Sequence, residues 1–89
     1  MSYSLSKEYV WKEVGGQVVV LHIETGRYYS LNHTGSLIWK GLMDGLSPDR
    51  IIERLCSVFD VDKSTANKDT EEMIRDLLTK EAIINDQPL

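Results

Sequence analysis

The chain has 89 residues, enough to build one hydrophobic core and too few for a second, so one domain over residues 1–89 is expected. Hydrophobic residues make up 42% and charged residues 27%, which excludes the apolar-poor, highly charged mix of a disordered chain. Fourteen acidic against ten basic side chains leave a net charge of -4, the wrong sign for a domain that neutralises nucleic-acid phosphates or rests on anionic lipid.

From Tyr9 the run Tyr-Val-Trp-Lys-Glu-Val is aromatic and β-branched, and Gly15-Gly16 supplies two residues that tolerate positive φ, as a two-residue hairpin turn requires. The next run, Val18 to Ile23, is nearly continuous in apolar residues and predicts a central strand with both faces largely covered. Glu24-Thr25-Gly26-Arg27 reads as a tight turn into a third, shorter strand, Tyr28 to Leu31, placed at a sheet edge. Periodicity then changes: Leu37, Ile38, Leu42 and Met43 recur at helical spacing, and Gly45 stands where a helix C-terminus favours φ > 0.

Ser47-Pro48-Asp49 is an N-terminal helix signal, with an N-cap hydroxyl, proline at the first helical position and an acid at the positive dipole end. Behind it Ile51, Ile52, Leu55, Cys56 and Phe59 form an apolar stripe. A longer third helix is expected from Ser64 to Lys80, with Ala66, Met73, Ile74, Leu77 and Leu78 inward and Asp69, Glu71, Glu72 and Asp76 outward. Three strands followed by three helices make an α+β domain in which the helices cover one face of a small antiparallel sheet.

Residues that carry chemistry are sparse. His22 sits on a strand and His33 in a turn, neither at metal-ligand spacing from Cys56, and Cys56 lies in an apolar stripe where a thiol behaves as a small hydrophobe. No glycine pattern has phosphate-loop spacing. Catalytic residues, metal and cofactor are therefore all expected to be absent. Cys56 is the single cysteine, the N-terminus lacks a basic and apolar export signal, and no apolar run is long enough to span a bilayer. A cytoplasmic protein is expected.

The stretch Thr25-Gly26-Arg27-Tyr28-Tyr29-Ser30-Leu31-Asn32-His33-Thr34-Gly35, with Leu37-Ile38-Trp39 and Asp44-Gly45, resembles the signature of the PqqD-like family. Ser47-Pro48 through Leu55 and Met73 through Ile84 extend the resemblance over residues 9 to 84. It implies a winged helix-turn-helix and a role in recognising precursor peptides of ribosomally made, modified natural products. In that family the leader segment of the precursor adds as a strand beside the third strand and rests against the third helix, a β-augmentation.

Carried onto this chain, the resemblance implies a strand partner at Arg27, Tyr28, Tyr29, Ser30 and Leu31. The groove wall falls at Asp69, Glu72, Met73, Asp76 and Leu77, with Lys80 closing one end. Tyr28 and Tyr29 point to opposite faces; if Leu31 packs inward it takes Tyr29 with it and leaves Tyr28 exposed. The Thr-Gly-Arg-Tyr form is more similar to the lasso-peptide group than to the peptide chaperone of pyrroloquinoline quinone biosynthesis. That group implies a separate cysteine-protease-type leader peptidase and a cyclase as partners. A DNA-binding winged helix is the rival, opposed by a third helix with more acids than bases.

Overall fold

The structure is a computed structural model that describes residues 3–85. The expected domain of residues 1–89 thus includes 1–2 and 86–89, which lie outside the described residues. Strand β1 is Tyr3–Leu5, β2 Tyr9–Val14, β3 Gln17–His22 and β4 Tyr28–Ser30. Helices α1 (His33–Met43), α2 (Pro48–Val58) and α3 (Lys63–Thr79) follow, and β5 is Ile83–Asn85. β2, β3 and β4 form an antiparallel sheet in that order, so the three-strand, three-helix α+β order read from the sequence is the observed one.

Local chemistry accounts for each junction. Gly15 and Gly16 adopt φ of 59° and 82°, the two consecutive positive values that let a two-residue turn match the twist of its strands. Asn32 caps α1, its side chain accepting the Gly35 N–H at 2.7 Å. At the far end Gly45, with φ 78°, donates to Leu42 C=O while Leu46 N–H reaches Gly41 C=O, each at 3.0 Å, a Schellman closure. Ser47 caps α2 through Arg50 N–H. α1 and α2 cross closely at Gly41, where an added Cβ would stand 2.8 Å from Ile51 Cγ1.

Asp62 caps α3, its Oδ1 accepting Thr65 N–H at 2.7 Å, and that hydrogen bond holds its carboxyl below the ordinary value of 3.8. A lowered folded-state pKa contributes stability that is full above 3.8 and is lost as the pH falls through the folded value. Asp62→Asn keeps a cap without the titration, so its melting temperature is expected to fall less steeply than that of the parent in acid, as read by circular dichroism melts across the pH range.

The core gathers Tyr9, Val18, Val20, Ile38, Trp39, Leu42, Ile51, Leu55, Ile74, Leu77 and Ile83 from every layer. Three expectations are corrected. β3 is covered on one face only: Val18 and Val20 are buried, Leu21 on the other face is 36% exposed, and Ile23 lies beyond the strand. Cys56 is exposed rather than packed, and Leu78 is 38% exposed. Both residues sit about 90° around their helices from the centre of the buried stripe, at its rim.

The sheet's outer face carries the row Val10, Leu21 and Tyr28, one residue from each strand in register, with Val14 and Val19 beside it. The sequence reading also lacked β1 and β5, which pair antiparallel as Tyr3↔Asn85 through Leu5↔Ile83 and pin the chain after α3 against its start.

Candidate edge-strand groove

β4 is an open edge, and its backbone hydrogen bonds can be followed residue by residue. His22 N–H donates to Arg27 C=O at 2.8 Å and Leu31 N–H to Val18 C=O at 2.9 Å. With Val20 opposite Tyr29 between them, antiparallel alternation makes 20 and 29 the hydrogen-bonded pair and turns the N–H and C=O groups of Tyr28 and Ser30 away from the sheet. Among the described residues, these two therefore present a backbone edge that no strand pairs.

Beside that edge runs a groove of about 360 Å³. Leu31, Ile38 and Met73 give it an apolar floor; Ser30, Asn32, Thr34 and Gly35 line the side where β4 turns into α1, and Asp69, Glu72 and Asp76 line the α3 side. The three acids and Met73 recur at three- and four-residue spacing and so share one helical face. Gly35 lies in the turn beside α3, where an added Cβ would be tight against Asn32 Oδ1 at 3.2 Å and in ordinary contact with Met73 Sδ at 3.7 Å.

Lys80 bridges sheet and helix at one end. Its Nζ lies 4.5 Å from the centroid of the Tyr29 ring and 2.8 Å from Asp76 Oδ2, so a cation–π contact and an ion pair hold one side chain across the gap. Its backbone carbonyl accepts the Tyr9 hydroxyl at 2.9 Å. Burial first, then the neighbouring Tyr29 and Glu8, raises the Tyr9 phenol above its ordinary pKa and keeps it a neutral donor.

The site residues expected from the sequence divide three ways. Ser30, Leu31, Asp69, Glu72, Met73 and Asp76 come together in the groove, with Tyr29 and Lys80 at its end. Arg27 and Tyr28 lie outside the lining, Tyr28 being 68% exposed on the outer face while Tyr29 turns inward. Leu77 is not a wall residue: it is only 6% exposed and belongs to the core, because it points along the middle of the buried stripe of α3 while the groove residues flank that stripe. Asn32, Thr34, Gly35 and Ile38 line the groove without having been expected there. Their signal was the N-cap pattern directly after an edge strand, which folds the chain back along it.

Elsewhere the chemistry-bearing residues stand apart. His22 Nδ1 bonds Thr25 Oγ1 at 2.9 Å and its ring meets Tyr9 edge-on, while His33 is the exposed first residue of α1. Among the described residues no group of three or more His, Cys, Asp and Glu is placed to hold a metal ion, and no helix is long and apolar enough to cross a membrane.

Two solved structures share this architecture. One, described as TbiB1 in complex with the TbiA(beta) leader peptide, is 32% identical, with a TM-score of 0.84 over 96% of this chain and 99% of that one. The other, lasso peptide synthetase B1 complexed with the leader peptide, is 26% identical, with a TM-score of 0.86 over 96% of this chain and 100% of that one. No curated protein matches the sequence. The family model for coenzyme PQQ synthesis protein D matches residues 17–83, which span the sheet from β3, all three helices and the start of β5. On that match and on its likeness to the two leader-peptide complexes, the chain belongs to the PqqD family.

Proposed function

We propose that this chain binds the leader segment of a ribosomally made precursor peptide in lasso-peptide biosynthesis, taking it as an added strand beside β4 and seating its side chains in the groove against α3. The observation that carries the reading is the juxtaposition of outward backbone groups at Tyr28 and Ser30 with a groove whose floor is apolar. Its support from relatives is that both similar solved structures are leader-peptide complexes. Fluorescence anisotropy with a labelled lasso-peptide leader tests it. Binding in the submicromolar to low-micromolar range is expected, and an unchanged signal at tens of micromolar would sink the reading.

In this reading the protein is a cytoplasmic accessory protein without catalysis of its own, and chemistry belongs to its partners. It presents the precursor to a cysteine-protease-type leader peptidase, and then to the cyclase, by raising the local concentration of the cleavage site. The row Val10, Leu21 and Tyr28 offers such a partner an exposed apolar surface, three side chains in register on the outer sheet face. Leu21→Glu is expected to leave leader affinity within about twofold and to slow peptidase-coupled leader removal about tenfold, as followed by mass spectrometry of the reconstituted mixture. Equal processing rates would remove this face from the partner contact.

A further inference from the structure

The groove's charge is unbalanced in one place. Asp76 has Lys80 as its cation, whereas among the described residues no basic group lies within ion-pair distance of Asp69 or Glu72. Asp69 is half-buried, and Glu72 stands one turn further along the same face, so the two carboxylates line one wall of the groove without an ion-pair partner. The opposite wall does not supply one: Asn32 Oδ1 is taken by the Gly35 N–H, and Ser30 and Thr34 are uncharged. Nor does the closed end, since the Lys80 ammonium is held between Asp76 and the Tyr29 ring.

Acidic residues on a helix are ordinarily a solvated face, and these would be no more than that without their surroundings. Here the pair borders a free strand edge and an apolar floor. An extended chain laid along Tyr28 and Ser30 projects alternate side chains toward that floor. A long basic side chain suits the spot: its methylenes cover Met73 while its head group reaches the carboxylates.

We propose that the peptide strand held beside β4 carries a lysine or arginine whose head group sits between Asp69 and Glu72, next to an apolar side chain set against Leu31, Ile38 and Met73. The inference rests on the leader-binding reading above and fixes the chemical class of one position in that segment. The net charge of -4 acts in the same direction, drawing a basic strand toward the domain before contact.

A phage-displayed random-peptide library, selected in parallel on the parent protein and on the Asp69→Asn, Glu72→Gln double variant, tests it. The parent is expected to enrich peptides with Lys or Arg at one fixed distance from an apolar residue, and the double variant the apolar pattern alone. Replacing that base with Gln in a parent-selected peptide is expected to weaken binding to the parent about fivefold, and binding to the double variant hardly at all. An apolar consensus on the parent without a fixed basic position overturns the proposal and leaves leader binding standing. No enrichment, or enrichment untouched by Ser30→Pro, overturns the proposal together with the reading beneath it. The Gln-substituted peptide on the parent protein keeps the test decisive should the double variant fold poorly.

Discussion

Ser30→Pro is expected to weaken leader binding about 5- to 30-fold while leaving the domain folded. Tyr29 faces β3 with its backbone groups and Ser30 faces outward, as the 22–27 and 18–31 hydrogen bonds flanking them require. Proline at Ser30 therefore deletes a donor that only an added strand uses, and its ring occupies the space where that strand would approach. Losing one such hydrogen bond with some steric cost corresponds to about 1–2 kcal/mol, or about 5- to 30-fold in affinity. Tyr29→Pro is the contrasting variant, because it removes an internal ladder bond and should lower the melting temperature itself. Anisotropy titrations alongside thermal melts separate the two effects. If Ser30→Pro binds the leader as the parent does, strand addition at β4 is wrong.

Ser36→Ala is expected to cost about 2–3 kcal/mol of stability, a loss of about 10–20 °C in melting temperature for a domain of this size. Ser36 is 1% exposed, and its hydroxyl accepts Val18 N–H at 2.8 Å while donating to Leu31 C=O at 3.2 Å. It stands in for the strand-to-strand bond that β3 and β4 would otherwise make where the chain leaves the sheet. Alanine leaves a fully buried N–H and a half-buried C=O without partners. The consequence reaches the groove, since Leu31 forms part of its floor. Faster amide exchange at Val18 than at Val20 in the variant would localise the damage to this junction; equal exchange would contradict it.

The sequence was most informative where single residues fix backbone geometry. Gly15-Gly16, Gly45 and Ser47-Pro48 placed the hairpin and the α1–α2 junction because few residues satisfy those dihedrals and caps. It was least informative where structure depends on distant partners. β1 and β5 are three residues each and pair across nearly the whole chain, so neither has a local pattern of its own. The candidate site shows the same division. Asp69, Glu72, Met73 and Asp76 were nominated through the family resemblance, and they line one groove because their three- and four-residue spacing puts them on one helical face. Leu77 and Cys56 were misplaced because an apolar stripe read along a helix gives a band without its centre or rim, and one position of rotation separates core from wall or surface.

The brevity of β4 sets how recognition can change over time. With only Tyr28 and Ser30 turned outward, an edge that takes a peptide as an added strand would read main chain common to every peptide and discriminate little among sequences. In that reading discrimination falls to groove side chains, of which Asp69, Glu72 and Asp76 stand on one face of α3 outside the core. Such an address reader can be re-keyed by a few surface substitutions at little cost to folding, which lets a duplicated copy acquire a new client peptide while its scaffold stays fixed.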